Sequence, residues 1–229
     1  MLEITDVRVS YGACKALKGV TLSVEAGSVV GVVGPNGAGK STLFKAVMGM
    51  VELDAGAVSL DGRPLFDIES REVGYLADIP FQFEFLTPRE MLLFERAMKN
   101  PELPLEHLQG LLHTLDLEAH ENTPIGNLSQ GLRKRAALAA ALAGEPSLLV
   151  LDKPLNALDV QTVIVLKRLI REAVARGAHV LVSSHVLNFF DGLVDKVAFL
   201  DRGLVRHVCS GDGEGAEDTY RRLFMDGEL

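Results

Sequence analysis

The 229-residue chain is poor in cysteine, short of cationic side chains relative to acidic ones, and without a long apolar run. Each shortage narrows the reading. Its two cysteines, Cys14 and Cys209, have no metal-ligand spacing and are expected to be reduced, ordinary residues. Lys plus Arg number 23 against 31 Asp plus Glu, a net charge of −8 that offers no global attraction for nucleic acid or an anionic membrane surface. No nucleic-acid partner is expected. The one short basic run, Arg133-Lys134-Arg135, precedes an Ala/Leu-rich stretch and reads as a helix face near a phosphate site. The apolar stretches, such as residues 136–143 and 148–151, are far shorter than the roughly 18 residues of a spanning helix. The start, Met1-Leu2-Glu3-Ile4-Thr5-Asp6, lacks a charged segment leading into an apolar one, so a soluble, cytoplasmic protein is expected.

What is present is sharper. Gly34-Pro35-Asn36-Gly37-Ala38-Gly39-Lys40-Ser41-Thr42 is a complete G-x-x-x-x-G-K-[ST] pattern between a buried-strand pattern over residues 28–33 and a helix-forming run over 42–48. Glycines let successive backbone N–H groups turn inward around a phosphate. Lys40 would reach the β/γ oxygens, Ser41 would offer its hydroxyl to Mg²⁺, and the positive end of the helix would face the phosphates. A nucleoside triphosphate with Mg²⁺ is the expected ligand.

Around this loop the patterns change character along the chain. Residues 2–9 and 20–25 alternate apolar with polar residues, which predicts half-buried strands in an antiparallel sheet, and 57–60 and 72–76 read as further strands. Residues 79–144 have little strand character. Within them Thr87-Pro88-Arg89-Glu90 predicts a helix start, with Thr as N-cap, Pro at the first position and Glu closing a capping box. This stretch is expected to be a helical lobe inserted into one domain spanning 1–229. Strand and helix then alternate again: a strand over 148–151, a helix over 159–176 and a strand over 178–183 predict a parallel sheet. A closing hairpin over 195–200 and 204–208 is expected at the sheet edge. A tail over 210–229 follows, with an acidic linker and a short amphipathic helix through Tyr220, Leu223 and Phe224.

Leu148-Leu149-Val150-Leu151-Asp152 ends a buried strand in a carboxylate, as the Mg²⁺ side of a phosphate-loop site requires. Leu128-Ser129-Gln130-Gly131-Leu132, Asn156-Ala157-Leu158-Asp159 and Ser183-Ser184-His185 follow around it. Taken singly, the first would be a plain N-cap and His185 a packed or surface histidine. In this order, with the loop, they make the chain resemble the nucleotide-binding subunit of an ABC (ATP-binding cassette) transporter from Leu2 to about Phe224. The resemblance implies an α/β fold: a P-loop NTPase core with a mixed sheet, an antiparallel β subdomain and an inserted helical subdomain. It also implies two cassettes meeting head to tail around two ATP molecules. Tyr11 then resembles the aromatic stacked on adenine, Gly34 to Thr42 the Walker A loop, and Asp152 the Walker B aspartate. Ser129 and Gly131 resemble the signature residues that contact the γ-phosphate held by the opposite subunit. Asn156 to Asp159 resembles the D-loop, and His185 the switch histidine. Gly74-Tyr75-Leu76, Leu86 to Glu90 and the tail look most like the exporter-type branch, whose membrane permease is a separate polypeptide, which would put the chain peripherally on the cytoplasmic face.

Two positions depart from that pattern. The family usually follows the Walker B aspartate with a glutamate that polarises the attacking water; here the residue is Lys153. An ammonium has no lone pair with which to accept a proton, and loss of such a base costs about 10²- to 10⁴-fold in rate. One charge pair at about 5 Å and an effective dielectric of about 20 is worth roughly 3 kcal/mol, so Lys153 would hold ATP tightly while failing to hydrolyse it. Asp78 stands where the family has glutamine or glutamate touching Mg²⁺. The signature segment is intact. The expected subunit therefore has a degenerate site of its own and still completes the site of a different cassette, although a homodimer of very slow sites and an ordinary ATPase remain open. The alternative from another class is a nucleotide-gated binding module without turnover. A soluble ABC ATPase acting on ribosomes or DNA is disfavoured, because the chain has no paired cassette, coiled-coil insertion or basic surface signature.

Overall fold

The computed structural model describes residues 1–78, 83–211 and 216–225. Two sheets organise it. The N-terminal segment forms β1 (Leu2–Tyr11) and β2 (Cys14–Val24), paired antiparallel, and β4 (Ala55–Leu60) joins the other side of β1. A two-residue β5 (Arg63–Pro64), which no sequence pattern announced, completes a sheet of order β2-β1-β4-β5. The antiparallel sheet expected at the N-terminus is present, but β2 begins at Cys14 rather than Val20. Pairing with β1 carries it past the alternating stretch, through three register irregularities in β1.

The second sheet has the order β10-β9-β3-β8-β7-β6. Its parallel centre consists of β3 (Val29–Val33), β6 (Val73–Leu76), β7 (Leu148–Leu151) and β8 (His179–Ser183). β9 (Lys196–Asp201) runs parallel to β3, and β10 (Leu204–Ser210) closes the edge as the expected antiparallel hairpin. Of these, β3, β7 and β8 are buried throughout, which is why they read as apolar runs. Their side chains nonetheless divide with period two. Val30, Val32, Leu148, Val150 and Leu181 join one core with the N-terminal sheet and α1 (Lys40–Val47). Val29, Val33, Leu149, Leu151, Val180 and Val182 join the other, with α4 (Gln130–Leu142) and α5 (Val160–Ala175).

Residues 88–142 are helical and strandless: α2 (Pro88–Lys99), α3 (Leu105–Thr114) and α4, with short 3₁₀ turns between the last two. The capping box at Thr87 forms as expected, the Thr87 hydroxyl accepting from the Glu90 N–H and the Glu90 carboxylate accepting from the Thr87 N–H. The tail forms α6 (Ala216–Phe224), whose Phe224 packs against Phe199 of β9 with ring centroids 6.4 Å apart. No helix among the described residues is long and apolar enough to cross a membrane.

Candidate functional site

All the sequence-predicted groups except Tyr11 and the Ser129 segment sit at the C-terminal ends of the parallel strands, where an open α/β sheet presents its crevice. The loop Gly34 to Gly39 leaves β3 and runs into α1, whose N-terminus carries no acidic residue in its first turn and no side-chain cap. Its exposed N–H groups and dipole therefore face the cleft unneutralised. Two glycines are sterically obligatory. A Cβ on Gly34, at φ 156°, would lie 1.9 Å from the Leu200 carbonyl oxygen, and one on Gly39, at φ 110°, would lie 2.9 Å from that of Ala16. The Lys40 ammonium is buried under the loop and donates to the carbonyls of Gly34 at 2.6 Å and Pro35 at 2.9 Å. Burial, aided by the charge of Lys153, pushes its pKa down.

Asn36 to Thr42, with Lys15, Lys18, Lys153 and Arg202, line a cleft of about 380 Å³. Cys14, expected to be unremarkable, also lines it as a free thiol. Pro35 forms part of the loop itself through its carbonyl, which accepts from the Ala38 N–H at 3.2 Å. Tyr11 is half exposed at the tip of the β1–β2 hairpin and does not line the cleft, although its cross-strand partner Cys14 does.

The opposite wall is a connected polar cluster. Asp152, 1% exposed, accepts from the Ser183 hydroxyl at 2.6 Å, while the backbone of Lys153 donates to that same hydroxyl at 2.9 Å. Asp78 follows β6, and both its carboxylate oxygens are taken: Oδ2 by the Lys153 ammonium at 2.7 Å and Oδ1 by the Asn156 amide at 2.7 Å. Burial alone would raise the Asp78 pKa, but the hydrogen bonds from Lys153 and Asn156 outweigh it and hold the carboxyl below its ordinary value. The same contact raises the pKa of Lys153. Lys153 also adopts φ 45°, a left-handed conformation that costs a side-chain-bearing residue about 1–2 kcal/mol. The ion pair and the Ser183 contact fix it there. Above this cluster the Tyr75 hydroxyl is pushed up to about 12, first by burial and then by the charge of Asp152.

Ser41 lines the cleft and the buried Asp152 carboxylate belongs to the facing wall; both carry the hard oxygen donors that Mg²⁺ takes. Asp78, expected as a third, differs because its oxygens are already satisfied by a cation and an amide. His185 is exposed two residues beyond β8, and its side chain makes no hydrogen bond, ion pair or ring contact among the described residues.

Ser129 lies away from the cleft. It is the N-cap of α4, its hydroxyl accepting from the Leu132 N–H at 3.3 Å, and it remains exposed. Gly131, in the first turn, packs so near the Ala157 carbonyl that a Cβ would stand 3.0 Å from it. The basic run that follows is no solvated face. Lys134, 4% exposed, donates to the carbonyls of Ala77 at 2.9 Å and Asp78 at 3.0 Å, which anchors the backbone that carries Asp78. Arg133 donates to the Leu128 and Gly126 carbonyls, and Arg135 pairs with Asp116 and Asp159. Sequence reasoning did not single out Lys134 as the anchor of this wall; its one signal was a lysine leading into an Ala/Leu-rich helix.

Three comparisons bear on this geometry. A family model described as ABC transporter matches residues 17–156. A probable ABC transporter ATP-binding protein of Azorhizobium caulinodans is 32% identical over 96% of this chain and 81% of its own length. A lantibiotic transport ATP-binding protein of Streptococcus pyogenes is 28% identical over 98% of both chains, and a Nod factor export ATP-binding protein of Burkholderia orbicola is 31% identical over 92% of this chain and 70% of its own. Among solved structures, an ATP-binding subunit of an ABC transporter superposes with a TM-score of 0.87 at 29% identity, over 99% of this chain and 95% of that one. A dimeric bacterial ABC transporter cassette gives 0.84 at 25% identity, over 93% and 100%.

Proposed function

The chain belongs to the ABC transporter family as an ATP-binding subunit, and from that membership we propose that it binds ATP at the Lys40 cleft, dimerises on it, and drives a separate transmembrane permease while hydrolysing poorly at its own site. The observation that carries this reading is the Lys153–Asp78 ion pair at 2.7 Å, in the position where a water-polarising carboxylate is needed. The chain forms one cassette over 1–229, with residues 79–144 as its helical lobe and 210–229 as its tail.

In this reading the Gly34 to Gly39 backbone and the α1 N-terminus cradle the β-phosphate, and Lys40 exchanges two loop carbonyls for phosphate oxygens. Mg²⁺, held by Ser41 and Asp152, supplies charge neutralisation when bound. Tyr11 stacks on the base from the hairpin tip, and His185 approaches the γ-phosphate from the end of β8. Water attack on the γ-phosphate needs an acceptor for its proton; Lys153 has no lone pair to take one, and Asp78, held below its ordinary pKa by Lys153 and Asn156, is a weakened base. Ser129 and Gly131 face outward, which suits service to the site of a second cassette, identical or different.

For the permease, the segment 78–85 and the helical lobe offer the dock. Phe83 and Phe85 are exposed with ring centroids 5.8 Å apart, and Phe83 also meets Phe94 of α2 at 6.3 Å; Phe81, which alternates with them in the sequence, lies outside the described residues. A groove of about 1090 Å³ runs alongside, walled by Met50, Leu53, Phe66 and Tyr75 and reached by Glu95 and Lys99. The location at the cytoplasmic face of a membrane follows from that partnership. A non-hydrolysing, nucleotide-gated module is the second reading, and the same ion pair favours it.

Steady-state ATP hydrolysis with Mg²⁺, measured beside Lys153→Glu with nucleotide binding followed on both, tests the proposal. Binding by both with turnover only in the variant is expected. Equal turnover would show that another group positions the water.

A further inference from the structure

Lys134 is a buried cation without a carboxylate partner. It is 4% exposed, forms no ion pair among the described residues, and gives its ammonium to two backbone carbonyls, those of Ala77 at 2.9 Å and Asp78 at 3.0 Å. Both acceptors lie just past the end of a strand. The pairing of β6 with β7 stops at Leu76 and Leu151, and the Asp152 N–H donates to the Leu76 carbonyl at 2.7 Å as the last bond between them. Beyond that point the carbonyls of residues 77 and 78 accept from no other group among the described residues. The helix that carries Lys134 also lies directly on β6, since a Cβ on Gly74 would stand 2.1 Å from the Ala141 carbonyl oxygen. Asp78 therefore leaves a strand that α4 grips at two points. Its side chain closes on Lys153 and Asn156, which belong to the segment after β7, while its backbone is held from α4.

We propose that Lys134 is a positioning residue that sets the Asp78–Lys153 ion pair: its two bonds hold the 77–78 backbone where the carboxylate meets the ammonium, and without them the pair opens. The inference rests on the functional reading above only for its consequence. In that reading Ser129 serves a second cassette, and the helix it caps carries any displacement through Lys134 to Asp78, so the ion pair answers to the position of α4.

The test is the rate at which a limiting amine-reactive ester acylates Lys153 in the full chain without nucleotide, read by peptide mass spectrometry with Lys196 of β9 as the internal control. In Asp78→Ala the Lys153 rate should rise about threefold or more over the wild type, as loss of a part-exposed ion pair predicts. Lys134→Met should show the same rise, and the double variant should be no faster than Asp78→Ala alone, with Lys196 unchanged throughout. Loss of a neighbouring positive charge would by itself raise the Lys153 pKa and slow acylation, so a faster reaction reports the opened pair. A smaller rise in Lys134→Met, acceleration of Lys196 alongside Lys153, or a double variant faster than Asp78→Ala overturns the inference and leaves the functional reading standing. An Asp78→Ala rate equal to that of the wild type overturns both, since the ion pair then protects nothing. Should Lys134→Met not fold, Lys134→Gln, which keeps a shorter donor, is judged by the same results.

Discussion

On one wall of the cleft, Gly34 to Thr42 keeps every feature that phosphate binding demands: glycines where a Cβ would collide with backbone, a buried lysine, and a helix end free of acidic neighbours. The facing wall keeps Asp152 but closes Asp78 and Lys153 into an ion pair braced by Asn156. One wall has glycines at 34 and 39 fixed by steric requirements; the other is held by an ion pair and an amide hydrogen bond. The loop expected to capture a triphosphate and the residues standing where hydrolysis would need a base thus lie on separate elements of the fold. Lys134 supports the facing wall, since it pins the Asp78 backbone from inside the helix that Ser129 caps.

The largest expected effect would erase the difference between the walls. Lys153→Glu restores a proton acceptor and should raise phosphate release by about 10²-fold or more; rates within a factor of two would sink the idea. Gly34→Ala attacks the other wall. Its methyl group would meet the Leu200 carbonyl at 1.9 Å, and the variant should lose about 3 kcal/mol or more by urea unfolding. An unchanged midpoint would mean that the loop relaxes freely. Lys40→Met should weaken ATP binding about 10- to 100-fold, the range for hydrogen bonds to charged groups, with little change in unfolding midpoint.

Smaller effects sharpen the contrast between the chain's own site and the one it would serve. Ser129→Ala removes the α4 cap and should cost about 1 kcal/mol of stability. ATP binding by the isolated chain should stay the same, while ATP-driven association, followed by sedimentation, weakens. The least effect concerns pH. Asp159 caps α5, and its carboxyl is pushed down to about 2, first by the Thr162 N–H and then by Arg135. Its folded pKa lies below the usual 3.8, so its contribution is complete above pH 3.8 and disappears as pH falls toward 2. Asp159→Asn should flatten the acid limb of the stability curve in that window. The effect is small because the side chain is half exposed.

Much of this was legible in advance for identifiable reasons. Buried strands such as Leu148–Leu151 advertise themselves because both faces are apolar. The Thr87 capping box was readable because its partners lie within one helical turn. β5 was not, since its two residues pair only because β4 lies beside them. The run Arg133-Lys134-Arg135 read as a helix face near a phosphate site and does lie on α4, but local sequence gives charge without direction; Lys134 points inward at carbonyls more than fifty positions earlier in the chain.

The sequence by itself determined the phosphate loop, the order of strands and helices around it and the substitution at Lys153, because each depends on residue type and near-neighbour spacing. Only the tertiary structure decided that Lys153 closes on Asp78 and that Asn156 completes the pair. It likewise decided that Ser129 faces away from the chain's own cleft. Those contacts join residues 75 and 78 positions apart, and parallel strand register places them together: Leu76 pairs with Leu151, so the residues that follow β6 and β7 emerge side by side. Local propensity carries no record of that pairing, which arises only when both strands are buried in one sheet.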